Sequence, residues 1–86
     1  MKISFHRNFE KKYAKLSLKD KLKAKERLNI FLTEPFYPLL KNHPLKGKYL
    51  NYRSLNIDGD LRAVFKLISD NDCLFVDIDS HSNLYL

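Results

Sequence analysis

The sequence predicts an α+β fold in which an N-terminal helical hairpin packs on a small antiparallel sheet of about four strands. Residues 7–34 carry apolar side chains at helical spacing, with a helix-start signal at Ser17. From residue 49 onward, strand patterns alternate with short turn sequences. Three strands joined by tight turns make a meander whose apolar face two helices can cover. We therefore predict the order β-α-α-β-β-β, in one domain spanning residues 1–86.

The N-terminal elements follow from polar and apolar periodicity. Lys2–Phe5 alternates polar and apolar residues and predicts a short first strand. Asn8 is the predicted N-cap of a first helix. The apolar stripe of that helix is Phe9, Tyr13 and Leu16.

A second helix is predicted from Ser17, which with Asp20 forms a capping-box-like start. Its predicted apolar stripe consists of Leu18, Leu22, Ala24, Leu28, Phe31 and Leu32. Pro35 ends the helix at about Glu34, because proline restricts the residue before it and cannot continue the helix.

The sheet region begins after an irregular connection over residues 36–42. Strands are predicted at 49–57, 61–68 and 73–78, and Cys73 is expected to pack as a small hydrophobe. Asp58-Gly59-Asp60 joins the first two of these strands as a hairpin turn, because such turns need residues that tolerate positive φ. Residues 79–86 are predicted to be a short helical turn or coil.

Charge is unevenly distributed along the chain. Residues 1–48 hold 13 Lys and Arg against 4 Asp and Glu, whereas residues 49–86 hold 3 against 6. This asymmetry indicates either a polyanionic partner or a lysine-rich solvated helix face. No apolar run reaches the length of a membrane span and no signal peptide is evident, so we expect a cytoplasmic protein that does not bind membranes.

The hairpin carries an unusual density of groups that bind anions or transfer protons. Ser54 and Asn56 lie on its first arm and are predicted to bind substrate, together with Lys46 and Lys48 ahead of it. The histidines lack paired metal-ligand spacing and there is no glycine-rich phosphate loop, so we predict no metal site and no cofactor.

Acid–base chemistry with cations is what these residues could perform. Metal-free RNA cleavage needs a base for the 2′-hydroxyl, an acid for the leaving 5′-oxygen and positive charge at the phosphate. His43, His81 and Arg62 are suitable types. Each also has an ordinary interpretation: His43 as a loop hydrogen-bonding group, Arg62 as a surface residue paired with Asp58, and the lysines as solubilising groups.

Four segments together resemble the RelE/YafQ-type toxins of bacterial type II toxin–antitoxin systems, within the RelE/ParE superfamily. They are Asn42–Gly47, Tyr52–Arg53, Asp58–Phe65 and Asp79–Tyr85. The resemblance covers essentially the whole chain and implies a RelE-like fold. It also implies a ribosome-dependent mRNA endonuclease that acts by metal-independent acid–base catalysis, with the 2′-hydroxyl as nucleophile. The implied partners are the 70S ribosome, mRNA and a cognate antitoxin, which we expect to be acidic and partly disordered.

The resemblance also assigns roles to five residues. His43 or Asp60 would be the general base, His81 the general acid, and Arg62 the contact to the scissile phosphate. Tyr85 matches a terminal aromatic residue that positions the base. Lys46 and Lys48 would complete the phosphate clamp.

The chain departs from the family pattern at Asn56, Leu61 and Asp77, where relatives carry a histidine or lysine, a tryptophan and an arginine. These departures leave two alternatives open. One is a non-enzymatic relative that resembles the ParE toxins and inhibits DNA gyrase. The other is a general basic RNA-binding domain.

Overall fold

The computed structural model of the protein describes residues 1–85 and has the predicted α+β architecture. The helices are α1 (Arg7–Ala14), α2 (Leu18–Thr33) and α3 (His81–Leu84). The strands are β1 (Lys2–Phe5), β2 (His43–Pro44), β3 (Arg53–Asp58), β4 (Leu61–Ser69) and β5 (Asp72–Ser80), in the sheet order β1-β5-β4-β3-β2. Leu86, the last residue of the predicted tail, lies outside the described residues.

The sheet differs from the prediction in strand number and direction. It has five strands, and β1 pairs with β5 in parallel, so the predicted antiparallel sheet of about four strands is wrong in these two respects. A parallel pair needs a long connection instead of a tight turn, and residues 6–71, which include α1, α2 and the strands β2 to β4, separate β1 from β5. The added strand, β2, has only two residues, His43 and Pro44, which is too short to give a strand pattern in the sequence.

The helix-start prediction at Ser17 is confirmed, and the one at Asn8 is wrong. Ser17 Oγ accepts a hydrogen bond from the Asp20 N–H at 3.1 Å, and α2 ends just before Pro35. In α1 the N-cap is His6, whose Nδ1 accepts from the Asn8 N–H at 3.0 Å. An imidazole can therefore take the place of the usual short polar side chain at this cap.

Aromatic rings form the centre of the core between the helices and the sheet. Phe31 of α2 packs edge-on against Phe65 and Phe75, with ring centroids 5.0 and 5.5 Å away. Cys73 is fully buried in the same core, as predicted.

The predicted apolar stripe of α2 is only partly buried. Ala24 and Phe31 are fully buried, but Leu18 and Leu22 are 73% and 59% exposed. Leu32 is also exposed. The first turns of α2 therefore extend past the core, which helical periodicity alone does not predict.

The predicted hairpin turn is confirmed, with a later start to its first strand. Gly59 and Asp60 join β3 to β4, and Gly59 has a φ of 45°, a conformation that favours glycine. Residues 47–49 form a 3₁₀ turn instead of the predicted strand, and β3 begins only at Arg53. Positive φ angles of 65° at Gly47 and 74° at Asn51 break the extended backbone there. Within residues 1–85, no helix has the length and apolar character needed to span a membrane.

Candidate functional site

The site lies on the face of the sheet that points away from the core. Leu55 and Ala63 are buried in the core with the helices, so the alternate residues of β3 and β4 point to the opposite, open face. Two rows of cross-strand partners run across this open face. The first row is His43, Ser54, Val64 and Asp77, and the second is Asn56, Arg62 and Asp79. Directly paired side chains are about 4.5–5.5 Å apart at Cβ, so the register brings distant parts of the chain together.

The C-terminal tail lies against this open face. The Tyr85 hydroxyl donates to Ser54 Oγ at 3.2 Å, and the His81 ring packs edge-on against Tyr85 with a centroid distance of 4.8 Å. The His81 N–H donates to the Asp60 carbonyl at 2.8 Å, which fixes the start of α3 beside the hairpin turn. His43 is the strand partner of Ser54, so it lies on the same face as the tail that carries His81.

His43 is exposed, and one of its two ring nitrogens is hydrogen-bonded to the backbone. Its Nδ1 lies 2.7 Å from the Lys41 carbonyl oxygen. Because a carbonyl can only accept a hydrogen bond, Nδ1 carries a proton in this contact, and in the neutral ring Nε2 is then the nitrogen with the lone pair. An imidazole in this tautomer can act as a base through Nε2.

A half-buried arginine holds the segment that leads to His43. Arg53 Nε donates to Asn42 Oδ1 at 2.7 Å, and the guanidinium lies 5.4 Å from the Phe36 ring centroid. Asn42 Nδ2 in turn donates to the Pro35 carbonyl at 3.0 Å. These contacts fix β2 at the edge of the open face. They give a structural role to Asn42 and Arg53, which both belong to segments that resemble the toxin family.

Arg62 is held at the hairpin turn. Its Nη1 donates to the Gly59 carbonyl at 2.7 Å and to the Leu61 carbonyl at 3.2 Å. A guanidinium has five N–H donors, so Nε and Nη2 remain for a ligand. The alternative in which Arg62 pairs with Asp58 is not what the structure shows, because the turn carbonyls take that place.

The remaining predicted site residues differ in accessibility. Asp60 is exposed at the turn, where its backbone carbonyl holds α3. Asn56 is half-buried on the open face. Ser54 is fully buried and supports Tyr85, so the direct substrate contact predicted for Ser54 is blocked in this arrangement.

Lys46 and Lys48 flank the 3₁₀ turn at the rim of the site. Both are exposed, and Lys48 Nζ lies 5.4 Å from the centroid of the Tyr49 ring. Tyr49 itself donates from its hydroxyl to Asp77 Oδ2 at 3.4 Å. Sequence reasoning missed Tyr49 as a site residue, because it assigned this segment to a plain strand.

An ion-pair network that the sequence did not predict lies beside the site. Lys12 Nζ of α1 contacts Asp77 Oδ1 at 2.8 Å and Asp79 Oδ2 at 3.1 Å. Asp79 also accepts from Asn83 Nδ2 at 3.0 Å, so the network ties α1, β5 and α3 together. No local pattern signals it, since Lys12 and Asp79 are separated by 67 positions.

The network changes the pKa of both its lysine and one carboxylate. Burial alone would raise the pKa of Asp79, but hydrogen bonds from Asn83, the Ser80 N–H and Lys12, with the Lys12 charge, outweigh burial and lower it. Burial alone would lower the pKa of Lys12, and its hydrogen bonds to Asp77 and Asp79 with their charges raise it instead. Both groups are therefore held in their charged forms. In the part of the chain covering residues 1–85, no three His, Cys, Asp or Glu side chains come close enough together to hold a metal ion.

A second surface lies at the other edge of the sheet. A groove of about 620 Å³ runs between β1, α1 and α2 and is lined mainly by Phe5, Phe9, Tyr13, Leu28 and Leu32. The Lys2 N–H donates to the Asn71 carbonyl just before β5, and the His6 N–H donates to the Phe75 carbonyl within it. Because N–H groups alternate along a strand, those of Ile3 and Phe5 point to the unpaired side of β1. An apolar groove and an open strand edge therefore lie side by side.

Comparison with known proteins gives matches among solved structures only, since no protein-family model and no curated protein matches the chain. YafQ from Escherichia coli is 26% identical with a TM-score of 0.79, and the match covers 98% of this chain and 97% of YafQ. A copper-bound mutant toxin from Helicobacter pylori is 30% identical with a TM-score of 0.78, with 99% of each chain covered.

Toxin–antitoxin complexes are among the similar structures. The Escherichia coli DinJ–YafQ toxin–antitoxin complex matches at 27% identity and a TM-score of 0.77, over 98% of this chain and 96% of that chain. These likenesses extend over almost the full length of the chain. The chain belongs to the RelE/ParE superfamily of toxins and is close to YafQ.

Proposed function

We propose that this protein is the toxin of a bacterial type II toxin–antitoxin system and cleaves mRNA on the ribosome in the cytoplasm. The observation that carries the proposal is the shared open face of His43, Arg62, His81 and Tyr85, with Lys46 and Lys48 at its rim. Two imidazoles with a guanidinium and an aromatic ring are the groups that metal-free RNA cleavage requires.

The reaction would proceed by transfer of two protons. His43 Nε2 would take the proton of the 2′-hydroxyl as its oxygen attacks phosphorus, forming a 2′,3′-cyclic phosphate. The P–O5′ bond would break, and His81 would give its proton to the leaving 5′-oxygen. Nε and Nη2 of Arg62 would bind the phosphate oxygens as negative charge develops on them. We favour His43 over Asp60 as the base, because the Lys41 contact orients the ring through Nδ1 and makes Nε2 the lone-pair nitrogen of the neutral imidazole.

Ribosomes programmed with a defined mRNA test this function, with cleavage mapped by toeprinting. We expect His43→Gln and His81→Gln each to slow cleavage by about 10²–10⁴-fold, the range for loss of one acid–base group. We expect Arg62→Ala to slow it by about 10²–10³-fold, the range for loss of one donor to the charge that develops in the transition state. Arg7→Ala is the matched control, since Arg7 is an exposed arginine at the start of α1, away from the open face.

Two results would contradict the proposal. One is intact mRNA at saturating wild-type protein, and the other is equal cleavage by wild type and the three variants. Gyrase supercoiling measured with the same preparation tests the ParE-like alternative, in which the histidines have no chemical role.

The partner we propose for the groove is an acidic antitoxin. Residues 7–34, which form α1 and α2, carry 9 Lys and Arg against 4 Asp and Glu, so the two helices as a whole attract a negatively charged chain, whereas the groove lining itself holds one residue of each sign, Glu10 and Lys25. An extended segment could pair with the open edge of β1 and place apolar side chains in the groove. The toxin–antitoxin complex among the similar structures supports a partner of this kind.

Co-purification with the product of an adjacent short acidic reading frame tests this partner. We expect Leu32→Glu, at 39% exposure in the groove, to weaken the complex at least tenfold, because it places a charge against an apolar and acidic partner. Leu18→Glu is the matched control, since Leu18 is an exposed leucine on α2 that does not line the groove. Equal binding by the two variants would exclude the groove as the docking site.

A further inference from the structure

A small cleft lies between the 3₁₀ turn and the C-terminal tail. It has a volume of about 230 Å³ and is lined by Lys46, Gly47, Lys48, Tyr49 and Tyr85. Pockets for drug-sized ligands usually measure about 300–1,000 Å³. The cleft is therefore of a size for one flat ring system and not for a larger molecule.

Two tyrosine rings form the walls of the cleft, and both are fixed through their hydroxyl groups. Tyr49 donates to Asp77 at 3.4 Å and Tyr85 donates to Ser54 at 3.2 Å, so each hydroxyl bonds to a residue of the sheet. The rings meet edge to face, with centroids 6.1 Å apart and an angle of 86° between their planes. Because the hydroxyl ends are anchored, the rings are held in place before any ligand binds.

The acceptor for Tyr49 also forms an ion pair with a lysine. Asp77 is 9% exposed, and its Oδ1 forms the 2.8 Å ion pair with Lys12. Burial, the Asp77 charge and the hydrogen bond to Asp77 raise the pKa of Tyr49, so its hydroxyl keeps the proton that it donates. The position of this wall is thus set by the network beneath it.

The rim of the cleft is positively charged. Lys46 and Lys48 are both exposed, and Lys48 Nζ lies close to the face of the Tyr49 ring. Aromatic rings that stack on bases beside lysines that bind phosphates are the combination used to hold single-stranded nucleic acid. The cleft offers both kinds of group: the 3₁₀ turn and the residue before it supply the two lysines and Tyr49, and the tail supplies Tyr85.

We propose that this cleft is a nucleotide subsite in which one RNA base stacks on Tyr49 beside Tyr85, with its phosphate on Lys46 and Lys48. The inference rests on the proposed action on mRNA and adds a second aromatic residue, Tyr49, to the tail tyrosine. Stacking on a tyrosine depends little on base identity, so the subsite fixes the position of one nucleotide without selecting its sequence.

NMR titration of the free protein with the ribotrinucleotide ApApA tests the subsite without ribosomes and without cleavage. The matched probe is the same trinucleotide with no base on its central ribose. We expect the wild type to bind ApApA about 5- to 150-fold more tightly than the abasic probe, the range for one stacked base.

Two substitutions of Tyr49 separate the ring from its hydroxyl. Tyr49→Leu should weaken ApApA binding by the same factor and leave binding of the abasic probe unchanged. Tyr49→Phe keeps the stacking ring and should stay within about twofold of the wild type. Tyr37→Leu, which changes an exposed tyrosine outside the cleft, is the control for the general effect of losing a tyrosine.

Equal binding of the two probes by the wild type, or an unchanged ApApA affinity in Tyr49→Leu, would overturn the subsite. A protein that shows base-dependent binding but leaves mRNA intact on ribosomes would contradict only the proposed cleavage. Ribosomal cleavage without base-dependent binding would contradict only the subsite.

Discussion

Substitution of Lys12 by methionine removes a cation of α1 that pairs with Asp77 and Asp79, two of the three carboxylates of β5. The ammonium group lies 2.8 Å from Asp77 and 3.1 Å from Asp79, and the lysine side chain is 37% exposed against 13% and 27% for the two aspartates. Exposed ion pairs contribute about 0–1 kcal/mol, whereas removing one partner of a buried pair costs about 3–5 kcal/mol. The partial exposure of Lys12 places this case between the two, and we expect Lys12→Met to lower the free energy of unfolding by about 1–3 kcal/mol.

Urea unfolding at pH 7 measures this loss directly. Lys11→Met is the matched control, because Lys11 is an exposed neighbour on the same helix that forms no ion pair within residues 1–85. The double variant Lys12→Met with Asp77→Asn should recover part of the stability, because it removes the buried charge left without a partner. Equal stability of the Lys11 and Lys12 variants would refute the reasoning, since it would mean that solvent screens the network completely.

The difference in stability between wild type and Lys12→Met should depend on pH in a direction that follows from the two pKa shifts. Folding lowers the pKa of Asp79, so stability from this group is present above the ordinary aspartate pKa of about 3.9 and is lost as pH falls. Folding raises the pKa of Lys12, so stability from the lysine is present below its ordinary pKa of about 10.4 and is lost as pH rises through the folded value. The stability difference between wild type and Lys12→Met should therefore be constant from about pH 5 to 9 and shrink on both sides of this range. A difference that grows on acidification would contradict the assignment.

Three further predictions concern the edge strand, the tail and the core. Arg53→Met removes the 2.7 Å hydrogen bond to Asn42 and should lower the free energy of unfolding, measured by thermal denaturation, by about 1–3 kcal/mol. An unchanged melting temperature would show that β2 is held by other contacts. Tyr85→Phe loses only the hydroxyl bond to Ser54, whereas Tyr85→Ala also removes the ring. Cleavage of mRNA on the ribosome should therefore fall less in Tyr85→Phe than in Tyr85→Ala. An equal loss would mean that the ring does not contact substrate. Burial, followed by the charge of Asp72, raises the pKa of Cys73 to about 11. The thiol should therefore resist alkylation by iodoacetamide at pH 8 until urea unfolds the protein. Rapid labelling of the folded chain would contradict this.

Much of the fold could be predicted from local patterns. The Ser17 cap, the helix end before Pro35 and the turn at Gly59 are each determined by residues a few positions apart. Short segments without a pattern gave the errors: β2 has only two residues, and the cap of α1 uses His6 in place of Asn8.

The candidate site was predictable as a set of residues but not as an arrangement. The resemblance pointed to His43, Arg62 and His81, and strand register then placed the first two on one face. The burial of Ser54 beneath Tyr85 depends on how the tail lies on the sheet, which alternation along β3 cannot reveal.

By itself the sequence determined the order of helices and strands, the main hairpin turn, the basic first half and the family resemblance, because each depends on residue types at short spacing. Only the tertiary structure decided that β1 joins β5 in parallel, that the tail lies against the open face and that Lys12 reaches Asp77 and Asp79. Those contacts join residues more than 30 positions apart, and they form because burial of one common core brings these distant segments together.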